Sequence, residues 1–376
     1  MLLAKKTIVV ILMLFFALMF SFSSSAKELV DIDKSVENLK KSLSDEVQQD
    51  LKKIGADSYD ISSFDDVSFK SILSLVFDKV ENEGTTPLKS GVVVISILIL
   101  TALLESYRDS LRHTSMQEVL SVVATLCIVT SLAFPVINLI RTSVATITDA
   151  SNFMLLYIPI MIAILSLSGH AVSGASYYSL MLMVCEGVAQ LSTKFIAPML
   201  NVYLGFCVSS SICDRVNLKS FCDMISKTIK WLISFLMTVF SALLTIKGMI
   251  TTAYDSVTAR AVRFTMSSFI PIVGAALAES YKTIQGSINL IRTGAGVFVI
   301  LAILVVFMPT IISCICWIFS LNLCKSVGET IGVTSPLNIL GTVSSVVSTV
   351  LAITVCIMAL FVISTALLIT LTGGAV

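Results

Sequence analysis

From Gly91 to the carboxyl terminus the chain reads as apolar runs separated by short polar links. The runs are Gly91 to Leu104, Val119 to Ile140, Phe153 to Leu167, Tyr177 to Leu191, Phe195 to Ser209, Trp231 to Ile246, Thr265 to Leu277, Gly296 to Leu321 and Val346 to Leu371. Such runs predict transmembrane helices, because a helix satisfies its own backbone hydrogen bonds where lipid cannot. A span needs roughly 20 residues, so the short runs Phe153 to Leu167, Tyr177 to Leu191 and Thr265 to Leu277 are expected as half-helices or re-entrant pieces buried in the bundle. The count is held at seven to nine segments over 91–376. The fold class is all-α: a polytopic integral membrane helical bundle.

Residues 1–90 follow another pattern. Lys5 and Lys6 precede the apolar run Thr7 to Phe20, then Ser21 to Ser25 and Ala26. This predicts a signal peptide over 1–26 cleaved after Ala26, with an uncleaved anchor as the alternative. Either way, 27–90 is placed outside the cytoplasm. There Val36, Leu39, Leu43, Val47, Leu51 and Ile54 recur at spacings of three and four, one helix stripe that stops at Gly55. A second stripe, Phe69, Ile72, Leu73, Val76, Phe77 and Val80, is expected to end at Gly84 and Pro87. Leu39, Leu43, Val47 and Leu51 are the candidate partner surface of this helical domain. An ordinary small helical hairpin is the plainer reading.

Charge sharpens the division. Of 24 acidic residues, 14 lie between Lys27 and Ser90, against 9 of the 25 basic ones, so that stretch is net −5. Over the whole chain 56% of residues are hydrophobic and 13% charged, where a soluble domain is about one quarter charged. Nucleic acid is not indicated as a partner, since no basic stripe interleaved with aromatics occurs. Arg108 and Arg112 put the link Glu105 to Glu118 inside, and Arg215, Lys219, Lys227 and Lys230 do the same for Asp214 to Lys230. Against this pattern, Lys247, Arg260 and Arg263 fall outside. The nine cysteines are read as packing residues rather than a disulfide framework, and Cys314 and Cys316, two apart, point to different sides of a helix.

Five of the seven prolines, Pro135, Pro159, Pro198, Pro271 and Pro309, lie in apolar runs, where each frees a carbonyl from the helix ladder. A candidate internal repeat pairs some of them. At an offset of 112, Ile158-Pro159-Ile160 meets Ile270-Pro271-Ile272, and after a one-residue deletion Pro198 meets Pro309. The copies cover 153–247 and 264–371, with inverted and parallel symmetry both open. Duplicated Pro-broken helices point to a transporter-type or pore-type core, while kinks that only improve packing are the competing reading. Glu186 sits near the middle of its run with Lys194 eight residues on, so both join the prolines as candidate core or lining residues. A structural glutamate bonded between helices is the alternative for Glu186.

Catalytic signatures are missing from the sequence. His113 and His170 are the only histidines, and no HExxH, GxSxG or Walker A pattern appears. No metal, cofactor or catalytic set is expected, and chemistry that needs ATP falls to a partner.

The run Ser268-Phe269-Ile270-Pro271-Ile272-Val273-Gly274-Ala275-Ala276-Leu277-Ala278-Glu279-Ser280-Tyr281, continued by Gly286 to Val297, with the signal peptide and acidic pre-membrane segment, resembles the stage III sporulation protein AE family. The resemblance implies a mother-cell membrane protein around the engulfed forespore. It implies action with a cytoplasmic ATPase, ring-forming proteins and a forespore partner in a channel or secretion-like complex. An autonomous secondary transporter is the rival reading, and an intramembrane enzyme the weakest.

Overall fold

The computed structural model describes residues 34–56, 68–109, 115–168, 170–212, 219–269, 274–333 and 336–373. The signal peptide and Pro271 lie outside these. Among the described residues there is no strand. The elements are α1 (34–41), α2 (Asp45–Lys53), α3 (Phe69–Asp109), α4 (Ser115–Leu167), α5 (Ala171–Leu191), a π-turn (Ser192–Ile196), α6 (Ala197–Ile212), α7 (Lys219–Phe269), α8 (Gly274–Ile331) and α9 (Leu337–Gly373). Six helical stretches are long and apolar enough to cross a membrane: Phe69–Ser106, Val122–Leu167, Val172–Phe206, Ser220–Thr258, Gln285–Ile331 and Leu337–Thr370. The chain is a multi-pass, all-helical membrane protein.

Several runs expected as separate pieces are joined. Val119 to Ile140 and Phe153 to Leu167 are one helix, α4, so Phe153 to Leu167 is no half-helix. The polar link between them stays helical because its hydroxyls find partners at hand. Ser143 Oγ donates to the Leu139 carbonyl (2.9 Å), Ser151 Oγ to that of Ile147 (2.8 Å), and Thr146 shares a hydrogen bond with Thr310 of α8 (2.8 Å). Tyr177 to Leu191 and Phe195 to Ser209 likewise form one continuous helical stretch through the π-turn.

The prolines do not end the helices. α4 runs through Pro135 and Pro159, and α8 through Pro309. Ahead of Pro198 the backbone widens to the π-turn, where Ala197 N–H bonds the Ser192 carbonyl five residues back. A wide turn there relieves the clash between a proline ring and the carbonyl four residues earlier.

α8 and α9 form the centre: 56% and 50% of their most apolar stretches are buried, against 22% each for α5–α6 and α7. They run antiparallel. A Cβ on Gly296 would meet Ile369 Cδ1 at 2.4 Å, and one on Gly328 would meet Leu337 Cδ2 at 2.3 Å, so both glycines permit close approach. α5–α6 also runs antiparallel to α9, since Tyr177 shares a cavity wall with Leu367 and Leu368 and Tyr203 OH bonds Ser345 Oγ (3.2 Å). The two segments that carry Pro198 and Pro309 therefore run the same way. Their boundaries differ, because the break at 168–170 corresponds to the uninterrupted interior of α8.

α3 lies parallel to α8 across a seam of small residues. Ser320 Oγ donates to the Pro87 carbonyl (2.8 Å) and Cys324 Sγ to that of Gly91 (3.4 Å), while Gly84 faces Cys316. A Cβ on Gly91 would meet Ser320 Oγ at 2.4 Å. Small residues four apart on both helices bring the backbones together as they do in membrane proteins. This corrects the expectation that the helix stops at Gly84 and Pro87: their small or donor-free backbones serve the seam, and α3 continues to Asp109.

The amino-terminal stripe is spent within the chain. α2 starts at Ser44, whose Oγ accepts from Val47 N–H (3.4 Å), and ends at Gly55, where φ is +81° and Ala56 N–H closes on the Leu51 carbonyl (2.9 Å). Leu39, Leu43, Leu51 and Ile54 are buried and Val47 is half-buried. Ile54 joins Ile72, Leu75 and Val76 of α3 against Leu301, Val305 and Met308 of α8. Leu39, Leu43, Val47 and Leu51 are thus a docking face for this chain's own helices rather than a free surface for a partner.

Candidate functional site

Where α4 turns into α5, the chain gathers ionisable side chains that an apolar bundle has no packing need for. α4 ends at Leu167 and α5 begins at Ala171, so the first amides of α5 lack helical partners. Asp255 of α7 supplies them: Val172 N–H donates to its Oδ1 (3.2 Å) and Ser173 N–H to its Oδ2 (2.9 Å). A carboxylate from another helix thereby caps α5, favoured by the positive end of the helix dipole. His170 precedes the helix without capping it, its Nδ1 3.8 Å from Asp255 Oδ2. Burial lowers the His170 pKa; Asp255 opposes that shift and Arg292 adds to it. The imidazole is accordingly neutral near pH 7, and the contact is not an ion pair.

Arg292 of α8 completes the cluster. It is 2% exposed, and its one hydrogen bond among the described residues is a long one, Nη2 to the Ile369 carbonyl at 3.5 Å. Its Nε and Nη1 have none, nor do the buried hydroxyls of Tyr157, Ser173 and Tyr177. Beside them lies a cavity of about 30 Å³ lined by Ser173, Tyr177, Lys247, Thr251 and Leu368, room for a single water. Gln285 Nε2 donates to the Ser168 carbonyl (2.6 Å) and ties α8 to the α4–α5 turn. At the opposite end of the bundle, Asp223, Lys325, Glu329 and Asn338 line an open cleft of about 490 Å³. Among the described residues no three His, Cys, Asp or Glu side chains gather to hold a metal ion.

Comparison with known proteins bears on this arrangement. The family model for stage III sporulation protein AE matches residues 58–372, which includes every helix of the cluster. The chain belongs to that family. It is 22% identical over 231 residues to the stage III sporulation protein AE of Bacillus subtilis (strain 168), a match that covers 61% of this chain. That match spans 56% of the relative's length. No solved structure matches.

Within this member of the family, the residues singled out by sequence pattern are scattered. Glu186 and Lys194 are exposed, on α5 and in the π-turn, and no ion pair joins them; Glu186 accepts a 3.4 Å hydrogen bond from Gln190 Nε2 one turn on. Neither reaches the bundle interior. Pro159 lies within α4, Pro198 opens α6 and Pro309 lies within α8, while Pro271 is outside the described residues. His170, Asp255 and Arg292, by contrast, flank the apolar runs in sequence and are not among the residues that the sequence pattern singles out. The signal that could have found them is that each stands within about three turns of an apolar run's end, where long antiparallel helices bring their ends together.

Proposed function

We propose that the chain is a non-enzymatic membrane subunit of a stage III sporulation channel or secretion-like complex. It acts in the mother-cell membrane around the forespore, with a separate ATPase and ring-forming proteins as partners. The family match over 58–372 carries this reading, and the six apolar helices supply the multi-span body it needs. The His170–Asp255–Arg292 cluster lies at the end of α8 from which α3 also sets out, because α3 and α8 run in parallel. With the amino-terminal region exported, that end faces outward, toward ring-forming partners. The test is purification of the tagged chain from membranes of sporulating cells. An ATPase and ring-forming proteins should co-purify in comparable amounts, and a chain recovered alone would sink the proposal.

A secondary transporter is the second reading, favoured by one observation: a buried arginine with unpaired nitrogens inside a bundle, which in membrane proteins marks substrate or ion pathways. Uptake by the purified chain alone in proteoliposomes would support it.

A further inference from the structure

The apolar stretches of α3 and α8 are out of step. Pro87 pairs with Ser320 and Gly91 with Cys324, so each α3 residue lies beside the α8 residue numbered about 233 higher. On that register the uncharged stretch Ser90 to Leu104 of α3 lies beside α8 residues that include Lys325 and Glu329. The charged half of α3, Lys70 to Lys89, lies beside the apolar centre of α8. Ile72, Leu75 and Val76 agree with the register, since they line one cavity with Leu301, Val305, Met308 and Ile312. The stagger is about 22 residues, or roughly 33 Å at 1.5 Å per residue. Tilt does not absorb it. Neighbouring helices sit about 8–10 Å apart, and a 33 Å step over that distance exceeds the roughly 40° limit of helix tilt in bilayers.

α8 carries no charge between Arg292 and Lys325, and α9 none from Leu337 to Gly373. The apolar run of α7 shares their level, since Ser226 bonds Thr349 (2.8 Å) and Thr251 meets Leu367 and Leu368. Three helices therefore agree on where the bilayer lies. α3 does not share that level: its uncharged stretch, Ser90 to Leu104, lies beyond it on the α8 register. Any crossing of about 20 residues within the uncharged stretch of α8 includes 305–312, and so brings α3 residues 72–79 to bilayer depth. Lys79 turns inward onto Asp50 and Glu46. Lys70, Asp78, Glu81 and Lys89 are exposed.

Charged side chains at that depth face water or protein, not lipid. We propose that the stripe Lys70, Asp78, Glu81 and Lys89 faces water within the membrane and forms one wall of an aqueous cleft beside α8. The stripe carries both signs, so the wall is wet without selecting strongly for cations or anions. The inference gives the channel reading a place in the fold and rests on that reading for its purpose, while its test requires no partner.

The test is aqueous thiol accessibility in sealed membrane vesicles of both orientations. Cysteine is introduced singly at Asp78 or Glu81, and at Leu236 or Val239, exposed apolar positions of α7 at the same level. Labelling by a membrane-impermeant methanethiosulfonate is counted above a Cys127→Ser parent, because Cys127 is exposed. Asp78→Cys and Glu81→Cys should react at least tenfold faster than Leu236→Cys and Val239→Cys, with all four variants at parental membrane abundance. Equal, fast labelling of all four would place that level outside the bilayer and overturn the proposal. So would equal, slow labelling, which would mean that the stripe is dry. A wet stripe in a chain that purifies alone would retain this inference and remove the channel complex.

Discussion

Two buried ionic clusters in this molecule are built on opposite principles. In the first, Lys79 of α3 turns into the contact with α2, where Asp50 Oδ2 lies 2.7 Å from its Nζ and Glu46 is a second partner; Lys53 bridges Asp50 and Asp78 from the solvent side. Charge and hydrogen-bonding capacity are matched, as burial requires. In the second, Asp255 is consumed by the amides of α5, and Arg292 is left with two nitrogens unbonded among the described residues. The first cluster holds α2 onto α3. The second carries a polar surplus that packing alone does not explain, and such surpluses in membrane bundles belong to function.

The comparison breaks first at Lys79. Lys79→Met strands the Asp50 carboxylate, 5% exposed, with only the more distant Lys53 for company. A loss of about 3 kcal/mol is expected, the usual cost of breaking a buried pair. Replacing both partners, Lys79→Met with Asp50→Leu, should recover most of it, because a packed apolar pair needs no counter-charge. Thermal unfolding in detergent reads both variants; a double variant no more stable than the single one would show that the cluster is not a balanced pair.

The second cluster should answer differently to loss of its anion and its cation. Asp255→Ala leaves two amides at the start of α5 without acceptors, for a cost of about 2 kcal/mol. Arg292→Leu removes a buried cation that has little to lose, so stability should hold or rise while spore formation falls. Equal destabilisation by the two substitutions would mean that Arg292 has a stabilising partner after all, and would erase the contrast between the clusters.

Protonation gives a smaller effect at the same place. Burial lowers the folded-state pKa of His170, with Arg292 adding to the shift and Asp255 opposing it. As pH falls, the unfolded chain takes up this proton first, near the ordinary histidine value of about 6.5. The stability is therefore complete above that value and drains away as pH drops toward the folded-state value. The melting temperature should fall between pH 7.5 and 5.5, and His170→Gln should flatten that part of the profile. An unchanged slope in the variant would assign the titration elsewhere.

How much of this was legible beforehand follows from the range of the interactions. Local rules served well: the apolar runs marked the helices, Gly55 ended α2, and Cys314 and Cys316 do face different neighbours, Ser143 of α4 and Glu83 of α3. Boundaries failed where a long-range contact overrode a local signal. Pro87 and Gly84 read as terminators because the partner that makes them a seam, Ser320 with Cys316, lies more than 230 residues away. The polar link 141–152 read as a loop because sequence does not show that Thr146 meets Thr310. The buried cluster was harder still. His170, Asp255 and Arg292 come from three separate stretches, and each alone resembles an interface residue.

The smallest expected effect separates depth along a run from depth in the bundle. Glu186 stands near the middle of its apolar run and drew attention for that reason, yet position along a helix says nothing about which way the side chain faces. In the fold it is exposed, with Gln190 as its hydrogen-bond partner at 3.4 Å, and Lys194 is exposed beyond it. A single weak contact on an open face contributes little, so Glu186→Gln and Lys194→Gln should each change stability by under about 0.5 kcal/mol. Spore formation should match the parent in both. If Glu186→Gln instead abolished sporulation at normal membrane abundance, the outer face of α5 would be a working surface covered by a partner, and Arg292 would lose its place as the first residue to ask about function.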